Sequence, residues 1–199
     1  MKISTKVAST LTAAVLITGA VAVPAMAGNG GGNGGGNGAR QTQTNSAQAN
    51  STQAVTPAAL TPDQTADLVY WVEEEKVARD LYLELARQYP DLSQFANIAK
   101  SEQKHMDAVR NLLATYGIAD PTAGEAEGVF SDPALAAMYT DLLNSATTPE
   151  AALAAGATVE RQDLEDLAYA KTLFTNQDVL RVVDSQLRAS QGHLNAFTR

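Results

Sequence analysis

The sequence predicts an all-α domain: four long helices in an up-down-down-up bundle, with a long crossover that carries one short helix. Three observations predict it. Apolar residues recur at spacings of three and four along four segments between residue 57 and the C-terminus. Helix-start signatures stand ahead of these segments, as in Thr61-Pro62, Asp132-Pro133 and Thr148-Pro149. Some thirty residues, Gly117 to Thr148, separate the second long helix from the third, enough to cross a whole bundle.

The first helix starts near Pro62, where Thr61, Pro62 and Gln64 supply a capping residue, a proline at the first helical position and the partner for a capping box. It stops before Pro90. Asp91 or Ser93 is expected to cap the second helix, which runs to Tyr116 and ends on Gly117 as a left-handed stop. Ser131-Asp132-Pro133 opens the short helix, and Thr148-Pro149-Glu150 opens the third long one, reaching about Phe174. Asn176 is expected to cap the last helix, which runs to about Phe197. The links between the first and second and between the third and fourth long helices are only a few residues, so each pair is antiparallel. A helix of 24 residues spans about 36 Å, a distance the long connection covers easily, so the second and third long helices run parallel.

The chain preceding this domain divides in two. Lys2 and Lys6, an apolar run from Val7 to Val23 and Ala25-Met26-Ala27 make residues 1–27 a signal peptide cleaved near Ala27. The run is short and is followed by a cleavage site rather than basic residues, which argues against a stable membrane anchor. No twin arginine precedes it, so the chain crosses the membrane unfolded and acquires any metal outside the cytoplasm. Residues 28–56, Gly/Asn-rich and then Gln/Thr/Ser-rich, offer almost nothing to bury and read as a disordered linker. Its reach is about 30 Å. It reads either as a spacer that holds the domain off a surface or as a solvated tail.

Of the 199 residues, 14 are Lys or Arg, 22 are Asp or Glu and none is Cys, for a net charge of −8. Cleavage removes Lys2 and Lys6 and no acid, so the mature chain carries −10. That balance excludes nucleic acid as a partner and favours a basic partner or a bound cation. The missing cysteine excludes disulfides, thiolate metal sites and a thiol nucleophile, so a metal site here uses oxygen and imidazole.

The inward stripes carry the functional signal. On the first helix the stripe is Leu68, Val72, Glu75, Ala78, Tyr82, Leu85 and Tyr89; on the second, Phe95, Ile98, Glu102, His105, Val109, Leu112 and Tyr116. The third long helix contributes Leu153, Gly156, Glu160, Asp163, Leu167, Ala170 and Phe174, and the fourth Leu180, Val183, Leu187, Ser190, His193 and Phe197. Every helix thus turns a polar group inward at a comparable level, and both histidines of the chain are among them. An unpaired buried carboxylate costs several kcal/mol, against a total stability of about 5–15 kcal/mol for a whole domain. These stripes hold no cation of their own, so a positive partner has to be supplied. Hard oxygen ligands mixed with imidazole suit iron, manganese or zinc. Glu75 and Glu102 are 27 residues apart, Glu160 and Ser190 are 30 apart, and a histidine follows Glu102 and Ser190 three residues later, so the two helix pairs look like facing half-sites. Glu73 and Glu74 read as a solvated face, Glu165 and Asp166 as outward or flanking, and Tyr82 as core.

The run Glu75 to Tyr82, EKVARDLY, together with Glu102-x-x-His105, resembles the rubrerythrin and ferritin-like di-metal carboxylate proteins. It resembles more closely an uncharacterised bacterial ferritin-like domain family with an EEEK-x-ARD-x-Y first helix. The resemblance covers about 140 residues, the whole globular part. It implies two metals in the bundle centre, with a Glu from each of two helices and a Glu-x-x-His from each of two others. Glu75 and Glu160 then become terminal carboxylates, Glu102 a bridging one, and His105 and His193 the imidazoles. Ser190 departs from that pattern where a second bridging Glu would stand. Three carboxylates leave two divalent ions one charge short of neutral; either Asp163, one turn after Glu160, restores the balance as a sixth ligand, or the site holds one metal or an asymmetric pair.

The expected function is therefore an exported metal-binding protein with a di-iron, or manganese, carboxylate centre acting as an oxidoreductase on oxygen or peroxide. Without cysteine the chain lacks the iron–thiolate domain by which rubrerythrins receive electrons, so turnover needs an outside reductant or proceeds as peroxide disproportionation. Two further readings stand beside it: a non-catalytic metal-binding or scavenging domain, and a metal-free interaction domain with protonated core carboxylates. A homodimer is compatible with the sequence; a large cage is not indicated.

Overall fold

A computed structural model describes residues 58–199. They form five α-helices and, among the described residues, no strand: α1 (Pro62–Gln88), α2 (Ser93–Tyr116), α3 (Pro133–Ser145), α4 (Pro149–Leu173) and α5 (Gln177–Phe197). The expected signal peptide and linker lie outside the described residues, apart from the start of the domain at 58. No described helix is long and apolar enough to cross a membrane.

Three helix starts follow the expected chemistry. Thr61 and Gln64 form the capping box of α1, Asp132 Oδ1 accepts from the amides of Ala134 and Leu135 at 2.7 and 3.2 Å, and Thr148 Oγ1 accepts from Ala151 at 3.1 Å. Gly117, at φ 68°, ends α2, with the Ile118 amide returning to the Leu113 carbonyl at 2.8 Å. Two expectations need correction. Neither Asp91 nor Ser93 caps α2: Leu92 occupies the N-cap, Ser93 is already helical, and no side chain caps the end. Leu92 packs against the apolar core, so burial rather than a capping oxygen sets that start. Asn176 does occupy the N-cap of α5, but its side chain makes no capping bond. Its Nδ2 donates instead to the Tyr116 hydroxyl at 3.1 Å and the Ala58 carbonyl at 3.3 Å.

Successive contacts along each helix pair give the directions. α1 and α2 run antiparallel, as Tyr82 meets Phe95 and Arg79 bonds Gln103. α4 and α5 do likewise, through Lys171 with Asp184 at one end and Gly156 under the Phe197 ring at the other. A Cβ on Gly156 would lie 3.0 Å from that ring, so the close approach requires glycine. α1 is antiparallel to α4, from Gln64 Nε2 donating to the Leu173 carbonyl at 2.8 Å to Tyr82 Oη donating to the Gly156 carbonyl at 3.3 Å. α2 is antiparallel to α5, through Tyr116 with Asp178 and Gln186 with His105.

The interior has three layers along the helix axes. An apolar cluster around Tyr82, Phe95 and Phe197 fills one end, and another around Trp71, Met106, Leu113 and Phe174 fills the other. Between them lies a polar belt drawn from all four long helices.

The connection after α2 covers the outer face of α1, and this overturns the expectation that Glu73 and Glu74 form a solvated face. Both are buried, as is every residue from Trp71 to Ala78. The Glu73 carboxylate accepts from the amides of Ser131 and Asp132, ahead of α3. Lys76 Nζ donates to the Ala126 carbonyl at 2.7 Å, pairs with Asp80 at 2.6 Å and lies 4.6 Å from the centre of the Phe130 ring. Asp80 also accepts from the Gly128 amide at 2.9 Å and pairs with Arg79. Glu74 faces Asp166 and Asp163 of α4, and burial, followed by those two acids, raises its pKa well above the carboxylate range.

Candidate metal centre

The belt is organised around Glu102. Its Oε2 is 2.7 Å from His105 Nδ1, one turn along α2, and its Oε1 is 2.8 Å from His193 Nδ1 on α5. Each imidazole nitrogen faces a second carboxylate: His105 Nδ1 is 3.5 Å from Glu75 Oε2, and His193 Nδ1 is 3.5 Å from Glu160 Oε2. The remaining oxygen of each outer carboxylate is held by an aromatic donor. Trp71 Nε1 donates to Glu75 Oε1 at 3.0 Å, and Tyr82 Oη donates to Glu160 Oε1 at 2.7 Å. The two imidazole rings face each other with centroids 5.6 Å apart. Two triads result, Glu75–Glu102–His105 and Glu102–Glu160–His193, in each of which one ligand atom per residue lies within 4.8 Å of the others. Glu102 belongs to both.

The helices explain the arrangement. Glu102 and His105 are three residues apart and so share a face of α2, while Glu75, Glu160 and His193 occupy the inward stripes of α1, α4 and α5. Trp71 lies four residues before Glu75, one turn away on the same face.

The electrostatics are those of anions gathered in a dry core. Burial works against a charged Glu102, but the two imidazoles at its oxygens outweigh it and hold its pKa down to about 2. Burial likewise opposes charge on the imidazoles. Glu102 and Glu75 nonetheless raise His105 to about 11, and Glu102 and Glu160 raise His193 to about 9. Glu75, more strongly desolvated, is raised to about 7 even with His105 beside it. Glu160 is raised as well, by burial first.

The separations from Glu102 to the imidazoles are those of hydrogen bonds, but the directions are not. His105 Nδ1, His193 Nδ1 and Glu102 Oε1 are all buried without a partner in hydrogen-bond geometry. Atoms that approach one another without aiming at one another suit a shared third point in each triad, which a small cation would occupy. The donors are carboxylate oxygen and imidazole nitrogen, a set that fits iron, manganese or zinc.

Asp163 and Ser190 are buried beside the belt, at 6% and 0% exposure. Asp163 belongs to neither triad. Its Oδ1 and the Ser190 hydroxyl have no partner in strict hydrogen-bond geometry; burial, then Glu75, raises the Asp163 pKa well above its usual value, and the neighbouring Ser190 works the other way. Of the six predicted ligands, Glu75, Glu102, His105, Glu160 and His193 thus converge, while Asp163 stands alongside.

Sequence reasoning missed Trp71 and Gln186. Trp71 was legible as an indole one turn before an inward carboxylate. Gln186 lies between Val183 and Ser190 on the inward side of α5; it is buried and donates through Nε2 to the His105 carbonyl at 3.1 Å. Tyr82 is core as expected and also a hydrogen-bond donor to Glu160. Glu165 points outward, and half-buried Asp166 accepts from Gln162 at 2.7 Å.

A family model described as an uncharacterized protein domain (DUF2202) matches residues 64–199. The uncharacterized protein MJ0754 of Methanocaldococcus jannaschii is 40% identical over 138 residues, 69% of this chain and 74% of the relative. The crystal structure of hypothetical protein MJ0754 from Methanococcus jannaschii is similar with a TM-score of 0.69 at 38% identity, covering 71% of this chain and 81% of that one. The chain belongs to the DUF2202 family.

Proposed function

We propose that this member of the DUF2202 family is a ferritin-like di-metal protein, exported after cleavage near Ala27, that reacts oxygen or peroxide at a centre held by Glu75, Glu102, His105, Glu160 and His193. The antiparallel pairs α1–α2, α4–α5, α1–α4 and α2–α5 support the up-down-down-up order of such bundles. One observation carries the metal reading: Glu102 stands between two imidazoles, each backed by its own carboxylate, and the facing nitrogens lack hydrogen-bond partners. Glu102 would bridge two ions, and Glu75 with His105 and Glu160 with His193 would complete one site each. Iron is the first candidate, manganese the second, and zinc would serve a purely structural centre.

Two redox-active ions, when bound, would supply the electron exchange with oxygen or peroxide. The chain's own residues set the conditions for it. Trp71 and Tyr82 orient the outer carboxylates by holding one oxygen each and leaving the other free. The two apolar clusters exclude water along the helix axes. Asp163, beside the belt with its Oδ1 lacking a hydrogen-bond partner, is positioned to add the fourth negative charge or to hold a proton at Oδ1. Without cysteine, reducing equivalents come from an outside donor, or peroxide is disproportionated without one.

The test is elemental analysis of the full chain and of a His105→Ala, His193→Ala variant. About two equivalents of iron or manganese, lost in the variant, followed by metal-dependent consumption of oxygen or peroxide, support the reading. Bound metal without consumption supports a scavenging or structural domain instead. No metal, and no uptake on reconstitution, overturns it.

A further inference from the structure

The carboxylates of the centre are shut away from solvent, but its imidazoles are not entirely so. The side chains of Glu75, Glu102 and Glu160 are each 2% exposed, whereas those of His105 and His193 are 10% and 13% exposed. A groove of about 660 Å³ opens between α2 and α5, with His105 in its wall. That volume is within the range of about 300–1,000 Å³ typical of small-molecule pockets.

The chemistry of the groove is specific in three respects. Leu112, Val182 and Ala108 give it an apolar wall. Lys104 and Arg181 line it as cations, neither held in an ion pair among the described residues, within a strongly acidic chain. Asp178, also in the lining, already accepts from the Tyr116 hydroxyl at 2.9 Å. The third feature is Gln186. It is only 2% exposed, its Nε2 is committed to the His105 carbonyl, and its Oε1 has no partner. A buried amide oxygen without a donor is costly, and an incoming hydroxyl or N–H would satisfy it.

We infer that the α2–α5 groove binds a small hydroxyl-bearing organic acid, its carboxylate held by Lys104 or Arg181, its apolar body on Leu112 and Val182, and its hydroxyl donating to Gln186. This goes beyond the metal reading by adding an organic ligand, and it rests on that reading only in giving the ligand a place beside His105. An acid bound there adjoins a metal-binding imidazole, the position a co-substrate of the centre requires. Cations in the wall also disfavour direct entry of a bare metal ion through this groove, so it is a route for anions and neutral molecules.

The experiment is calorimetric titration of the full chain with 4-hydroxybenzoate, metal-loaded and again after chelation, with metal content measured in parallel. Saturable binding is expected, weaker by about tenfold for benzoate and for a Gln186→Leu variant, as one hydrogen bond to a buried group is lost. A Lys104→Glu, Arg181→Glu variant, charge-reversed in the groove wall and unaltered in the core, is expected to abolish binding while keeping its helical spectrum. Binding that persists after chelation, in a chain that takes up no metal, leaves the groove standing and removes the di-metal reading. No saturable binding at millimolar 4-hydroxybenzoate, or equal binding by the charge-reversed variant, overturns the inference.

Discussion

The two half-sites share one carboxylate and one geometry, but not one environment. Glu75 lies on a stretch of α1 buried on every side, under a connection fastened by Glu73, Lys76 and Asp80, whereas α4 and α5, which carry Glu160 and His193, alternate buried with exposed residues. The paired distances are identical at 3.5 Å and nearly so at 2.7 and 2.8 Å, yet His105 is raised to about 11 and His193 only to about 9. Equal distances therefore do not make equal sites. In both pairs Glu102 and the outer carboxylate raise the imidazole against the opposing effect of burial.

The largest effect expected comes from removing the shared element. Glu102→Gln deletes the only carboxylate common to both triads, and on the proposed di-metal reading metal content should fall from two equivalents to near zero, an affinity loss of more than about a hundredfold at each site. Retention of one equivalent would show that the half-sites are independent.

Next is the fastening of α1. Asp80→Ala leaves Lys76 and Arg79 without their carboxylate in a buried setting, and denaturant unfolding should show a loss of about 3–5 kcal/mol. The contrast between the half-sites sharpens if metal at the Glu75 site is lost before metal at the Glu160 site, followed by the visible spectra of cobalt-substituted protein.

The pH dependence separates the halves without mutation. A histidine raised on folding stabilises the metal-free chain fully below its unfolded pKa of 6.5, and that contribution is lost as pH rises through the folded value. Stability from His193 should therefore fade by about pH 9 and that from His105 by about pH 11, read from imidazole NMR shifts beside thermal melts. Glu102, lowered on folding, contributes above its ordinary value of 4.5 and loses that contribution as pH falls through about 2. Because a metal takes neutral imidazole, uptake at pH 8 should release about two protons, one from each ring. A single imidazole titration common to both rings would erase the comparison.

The smallest effects are expected from the aromatic donors. On the proposed reading, Trp71→Phe should weaken only an ion bound by Glu75 and His105, and Tyr82→Phe only one bound by Glu160 and His193, each by about tenfold. Metal titrations of the two variants check the assignment, and crossed effects would mean that the carboxylates reposition together.

Much of this was readable along the chain because helices repeat. Spacings of three and four put Glu75, Glu102, His105, Glu160 and His193 on inward stripes, and local oxygen donors at Thr61, Asp132 and Thr148 marked three helix starts. Where reading failed, the deciding partner came from elsewhere in the sequence. Leu92 starts α2 through core packing, and Asn176 gives its amide to Tyr116, 60 residues away, rather than to its own helix. Asp163 satisfied the periodicity and the charge count, yet stands beside the triads because periodicity specifies a face and not a distance.

By itself the sequence determined five helices, their inward faces and the gathering of acids and imidazoles on them, since helix periodicity and capping act over one or two turns. Only the tertiary structure decided that Glu73, Glu74 and Lys76 are buried, that Glu102 is the residue both histidines share, and that a groove reaches His105. Those outcomes depend on which surface the chain between residues 117 and 132 comes to cover and on how closely α2 and α5 approach, and packing between distant segments sets both.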